Sequence, residues 1–492
     1  MKHSVYLKRI AVFLLIILYC NIHLHAYDIA VKNEDGVTIY YNYSSNGQEL
    51  QVAKGDYSTI SSLSIPETVS YMNRNRKVTS IAMWAFKNCK ELTSIVVPSS
   101  IISINYEAFD GCYNLKKTIV KDLAAWCNIG FSDFRSNPLY YSKSIYYDEI
   151  TELKDIVIPE GVLSIKDFVF SGCSSLNTIA LPESVETIGR YAFCDCSSLS
   201  SIVVNKNLKS IGEYAFSGCK NMVAFTIPNE VNFIGNNAFS YCSGLTSLVL
   251  PQGVTSIEEL TFKNCINLQS ITFGSSIQTI KGGALEGCSK LASVILPNSL
   301  NSIGVCAFMD CSSLSNIIFG ENISTIGNSA FRNCSSLKTI ILPQNITSID
   351  DLAFGNVDFE IIISKMQIPS FLANYAFSKN TLYNATLYIP EGTKELYKTS
   401  GNWQKFVFIE EGLPEDPNAI ENIYSKPSLT MKEGLGLIRI DNAEIGSIIQ
   451  VFAIDGTKQM TLPVTNPQID ISLPCNNFYI VKVGNITKKI YL

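Results

Sequence analysis

Histidine is confined to His3, His23 and His25, all within the first 26 residues. A chain shortened by that segment has no imidazole, so the commonest general base, proton relay and nitrogen ligand for metals are missing. Charge is sparse too: 16% of residues are charged and the formal net charge is −5. With no basic patch, that balance speaks against nucleic acid or an anionic membrane surface as partner. No apolar run reaches the roughly 20 residues a bilayer span requires. Gly434 and Gly436 lack the third glycine of a dinucleotide fingerprint, and no G-x-S-x-G, phosphate loop or EF-hand loop occurs.

The amino terminus carries Lys2, Lys8 and Arg9, then the apolar stretch Ile10 to Tyr19, then a short polar region ending at Ala26. That order is that of a signal peptide, residues 1–26, and an exported chain is expected. Cys20 follows Tyr19, whereas a lipid-attachment cysteine ordinarily follows a small residue, so cleavage after Ala26 is the expected processing.

What the chain does have is a repeat. A-F-x-x-C-x-x-L recurs with its Phe at 86, 109, 170, 193, 216, 239 and 262, and the register continues through Leu285, Phe308, Phe331, Phe354 and Phe377. The step is 23 residues except between Phe109 and Phe170, where two periods plus an insertion account for the spacing. Neither a helical nor a strand period fits one unit as a whole. The segment L-x-x-I-x-[LIV], as in Leu176 to Leu181, alternates like a short strand and is usually closed by proline, which lacks an amide donor. The A-F-x-x-C segment reads as a helical turn, since Phe and Cys three apart share a face. One such coil cannot bury its own apolar residues, so neighbours must cover them in a stacked array.

The pattern I-x-x-x-A-F-x-x-C-x-x-L-x-x-I-x-L-P resembles the BspA-like group of leucine-rich repeats in bacterial surface proteins. The expected fold class is therefore an α/β repeat solenoid, a leucine-rich repeat of 23-residue period, with a small C-terminal β-sandwich. Proline at 98, 159, 182 and 297 stands where an asparagine ladder usually begins, so no such ladder is expected. The expected organisation is an N-terminal β cap at 27–60, the array at 61–410 with an irregular insertion at 116–150, a linker at 411–424, and the β-sandwich at 425–492. The sandwich rests on alternating runs at Ile448 to Phe452, Ile469 to Leu473 and Phe478 to Val483, with an Asp455-Gly456 hairpin. Its order, ending in Lys488-Lys489-Ile490, resembles the sorting domain of the type IX secretion system of the Bacteroidetes group. The aromatics of the insertion (Trp126, Phe131, Phe134, Tyr140 and Tyr146) are expected to pack a coil of altered length.

Ten of the fifteen cysteines share one repeat position, Cys89 through Cys334. Such regularity points to stacking of small buried thiols, because metal ligands must converge on one point while a ladder spreads along a line. No catalytic, cofactor or metal site is assigned. An acid-dependent hydrolase would have to use Asp122, Asp133, Asp148 and Glu149 of the insertion. The strip expected to contact a partner comprises Val203, Thr226, Val249, Thr272, Ile295, Ile318 and Ile341, the outward apolar positions of successive strands. The expected partner is a protein, and the chain is expected to be a monomer. The resemblance implies adhesion to host extracellular proteins or other cells; a structural scaffold in a cell-envelope complex is the alternative.

Overall fold

The computed structural model describes residues 27–412 and seven C-terminal segments: 430–434, 437–441, 448–453, 457–463, 469–473, 478–483 and 486–491. The expected leader with Cys20, and the expected linker from 413 onward, lie outside the described residues.

Residues 27–412 hold the expected solenoid together with a closing element at each end. Most regular coils contribute two short strands, and these pair in parallel with their counterparts 23 residues on, with breaks that divide each row into several sheets. Thr178–Ala180 pairs Ser201–Val203, while Thr187–Ile188 pairs Ser210–Ile211. The middle residue of the first strand points inward, so Ile179, Ile202 and Ile271 are buried and the residues either side face out. Phe rings at the repeat position stack coil upon coil, with Phe170, Phe193 and Phe216 at centroid separations of 5.3 Å and nearly parallel. Leu285 interrupts the column, which resumes from Phe308 to Phe377. One hydrophobic core runs from Ile29 to Ile409.

The A-F-x-x-C segment differs from expectation in being a turn without a helix. The Cys amide donates to the Phe carbonyl three residues back, as Cys196 does to Phe193 at 3.2 Å. Left-handed residues flank the Phe and prevent continuation, for example Tyr191 at φ 56° and Asp195 at φ 57°. Their amides donate instead to the next coil, Tyr191 to Glu213 at 2.9 Å and Asp195 to Ser217 at 2.7 Å. The position is demanding: at Gly218, φ 77°, an added Cβ would lie 2.4 Å from Asp195 Oδ1. Glycine there gives the preceding aspartate room.

The array is closed at both ends. At the start, Ile29–Lys32, Thr38–Tyr43 and Glu49–Val52 form antiparallel pairs, and the last adds in parallel to Arg74–Ile81. At the end, Trp403 of the 3-10 helix Gly401–Lys405 packs against Phe377, and Tyr397 of helix Lys394–Thr399 packs against Trp403. The Tyr397 hydroxyl donates to the Met366 carbonyl at 2.9 Å, and Trp403 Nε1 to Ser370 O at 2.8 Å, so neither buried polar atom is orphaned.

The C-terminal segments form two antiparallel sheets. One contains Thr430–Gly434, Leu437–Asp441 and Ile469–Ser472; the other contains Ile448–Ala453, Lys458–Pro463, Phe478–Val483 and Ile486–Tyr491. They have their own core around Ile440, Val451, Ile471 and Val481.

Candidate protein-binding face

The strand register assembles the outward positions into rows. Val157, Ala180 and Val203 are direct partners, as are Val249 with Thr272 and Ile295 with Ile318. Thr226 lies on the same course but outside a regular strand, where only an Ala224 to Ser247 bridge forms. All seven strip residues are exposed or half-buried, with Val203 at 63% and Ile295 at 45%. A second outward row, two residues earlier, is polar: Thr178, Ser201, Ser247, Ser270, Ser293, Asn316 and Thr339.

Two strip members could not be anticipated from the period. Tyr146 pairs with Ile119, which pairs with Val96, so it occupies the strip position just before the regular coils. Tyr388 pairs with Ile363, the partner of Ile341, at the far end. Both lie where the 23-residue spacing breaks, so counting residues misses them. The apolar row is bounded by half-buried tyrosines, and Lys117 Nζ sits 5.4 Å from the centre of the Tyr146 ring.

The insertion packs as an irregular coil. Gly130–Phe131 extends one strand row by pairing Ser103–Ile104, and Ile145–Tyr146 extends the other. Trp126 is buried, its Nε1 donating to Val169 O at 3.0 Å; the buried Asn137 amide donates to Phe168 O and Val169 O. Its acids do not converge. Asp122 caps helix Leu123–Cys127 through the Ala125 amide, and Asp133 caps Phe134–Ser136 while also accepting from the Glu107 amide. Asp148 accepts from the Ile150 and Thr151 amides, and Glu149 pairs with Lys117 at 3.6 Å. Each carboxylate therefore has a local structural partner.

Glu107 is the most tightly held acid of the described array. It is buried and receives Lys87 Nζ at 2.9 Å, Trp84 Nε1 at 3.0 Å and Arg135 at 2.8 Å. The Lys87 bond, aided by the Trp84 and Arg135 bonds, pulls its carboxyl down to about 2 against the cost of desolvation. Arg135 belongs to the insertion, so the cluster fastens that coil to the two before it.

The cysteine ladder is chemically quiet. From Cys196 to Cys334 each thiol of the ladder donates to the carbonyl of the Phe (or Leu285) 26 residues earlier, as Cys196 does to Phe170 at 3.1 Å, Cys219 to Phe193 at 3.2 Å and Cys311 to Leu285 at 3.3 Å. All described cysteines are free thiols. Burial pushes Cys173 and Cys265 up to about 12 and Cys196 and Cys219 well above the ordinary thiol value, so the nucleophilic thiolate is disfavoured.

Comparison with known proteins follows this geometry. The family model described as BspA type Leucine rich repeat region matches in six copies, over residues 56–138, 140–269 and 255–384. Among solved structures, a leucine rich cell surface protein from Faecalibacterium prausnitzii A2-165 is similar at 23% identity and TM-score 0.47, over 83% of this chain and 99% of that one. A leucine-rich repeat protein from Bacteroides ovatus ATCC 8483 is similar at 22% identity and TM-score 0.46, over 79% and 100%. The pneumococcal vaccine antigen PcpA is similar at 18% identity and TM-score 0.45, over 79% and 100%. Comparison with curated proteins gives no match.

Proposed function

Because the chain belongs to the BspA-type leucine-rich-repeat family, we propose that it is an exported protein, displayed on the cell surface or secreted, that binds another protein through the outward face of its first strand row. In this reading residues 1–26 are the export leader, 27–60 cap the array, 61–410 form the binding body, 411–424 link it onward, and 425–492 serve as the sorting module. Adhesion to host extracellular proteins or to other cells is the assigned role, and no residue is assigned to catalysis.

The observation that carries the proposal is the aligned row from Val157 to Ile341. Its exposed members include Val157 at 74% and Val203 at 63%. Exposed apolar side chains in register on a sheet face are not favoured by solvent alone, and burying them against a partner releases roughly 25 cal/mol per Å2. Of the acids that a hydrolase would need, Asp122, Asp133 and Asp148 instead cap turns and helices and Glu149 pairs with Lys117.

The test compares the purified full chain with the double variant Val203→Lys, Ile295→Lys. Binding to immobilised fibronectin, fibrinogen and collagen, and to whole bacterial cells, is measured by surface plasmon resonance and sedimentation. The variant should bind at least about tenfold more weakly, as expected for buried charges facing an apolar partner. Equal binding by both proteins would remove the strip from the interface, and no binding to any of these by the wild type would remove adhesion.

A further inference from the structure

Two cavities open along the strip, and both lie on the same flank. The larger, about 550 Å3, is lined by Val96, Pro98 and Ser99 with Glu67, Lys121 and Asp122. The smaller, about 60 Å3, is lined by Ile318, Phe319, Glu321, Ile341, Pro343 and Lys365. In each, an outward strip residue forms one side, and the turn after the strand-ending proline or glycine forms the other. The apolar row thus has a wall on the side where the strands end.

That wall is acidic. Exposed glutamates stand in this turn at Glu67, Glu160, Glu183, Glu230 and Glu321, against Lys121, Lys206 and Lys365, while Gln252, Ser275, Asn298 and Gln344 fill it in the other regular coils. Lys365 already lies 3.4 Å from Glu321. The opposite rim, one residue before each strand, is mixed: Lys116, Lys154 and Lys338 stand there with Glu360, and Lys154 pairs with Glu152 at 3.4 Å. The net acidity of the wall is therefore the electrostatic feature of the face that a docking partner meets.

Resting on the proposal that the strip is a binding face, we infer that its partner is a protein surface bearing an apolar ridge with lysine or arginine along one side, docked so that the basic side meets the glutamate wall. Complementary charge sets orientation and speeds encounter, while the apolar row supplies the buried area. Phosphate-bearing partners, nucleic acid or anionic lipid, would meet repulsion along the same wall.

The probe is a synthetic amphipathic helix with a leucine stripe flanked on one side by lysines, and a copy with glutamate in place of every lysine, titrated by fluorescence anisotropy into the full chain. The lysine peptide should bind at least roughly tenfold tighter, with affinity falling as salt rises. Glu160→Lys with Glu230→Lys should weaken it by roughly fivefold or more and flatten the salt dependence. The same charge change placed off the face, Glu259→Lys with Glu395→Lys, should leave it within about twofold, which separates the wall from net charge. Val203→Lys with Ile295→Lys should also weaken it. Equal affinity for the two peptides, or equal weakening by both pairs of charge reversals, overturns the inference. Should the strip variant alone lose binding, the binding face stands and the assigned basic partner falls. Should the wall variant alone lose binding, the docked apolar ridge is wrong and the strip reading falls with it.

Discussion

At the scale of single residues, the repeat cysteine does more than fill space. Cys219 is fully buried and its thiol donates to the Phe193 carbonyl of the preceding coil at 3.2 Å, a carbonyl that also accepts from the Cys196 amide. Sulfur's reach lets a small side chain bridge coils that an alanine would leave unjoined. Cys219→Ala removes the packing and the bond together and should cost about 1–2 kcal/mol, read as a lowered urea midpoint. Cys219→Val, apolar and without a donor, should fail to restore it. Full stability in the valine variant would show that the thiol acts by volume alone. The ladder's register was legible in the sequence because ten cysteines recur at one position of the period. Its hydrogen bond was not, since spacing says nothing of which neighbour a thiol meets. Equally hidden were the left-handed residues, because Trp84, Tyr191, Cys306 and Leu352 share no chemistry that marks a positive φ.

Among the elements, the regular coils follow from periodicity, whereas the insertion follows from particular side chains. Its ladder pairing is with the coils before it, at Gly130–Phe131 and Ile145–Tyr146, with a single bridge forward from Tyr146 to Glu152. What ties it forward is the buried Trp126 and Asn137, each donating to Val169 O, and what ties it back is Arg135 on Glu107. Sequence reading placed the aromatics of this segment in packing, and Trp126 and Phe131 are indeed buried, but Phe134 remains 37% exposed. The importance of Glu107 escaped notice because its partners Lys87 and Arg135 lie 20 and 28 residues away on either side. The Glu107 carboxyl sits near 2 in the folded chain against 4.5 for an ordinary glutamate. A depressed carboxyl stabilises the fold fully above the ordinary value and loses that contribution as pH falls from about 4.5 towards about 2. Glu107→Gln should therefore melt well below wild type at pH 7, and the two melting curves should draw together near pH 3. A gap that stays constant between those pH values would show that the glutamate acts through shape alone.

For the whole molecule, the period has a mechanical meaning. Regular coils meet their neighbours through parallel strand pairs, ring contacts and thiol bonds, as between Phe193 and Phe216 and between Cys219 and Phe193. Stability in such an array is close to a sum of coil and interface contributions, so one whole coil is removable while a fraction of one is not. Deleting residues 236–258 joins Gly235 to Glu259 in the same register and takes Val249 from the strip, leaving Thr226 to meet Thr272. That variant should stay monodisperse on gel filtration, keep its β-type circular dichroism, and melt within a few degrees of the parent. Deleting half that length brings the short strand of one coil onto the turn of the next and buries polar residues among Phe rings, so it should aggregate. A full-coil deletion that unfolds as readily as the half-coil deletion would mean that the array is one cooperative body, in which distant coils, the caps included, depend on each other as closely as neighbours do.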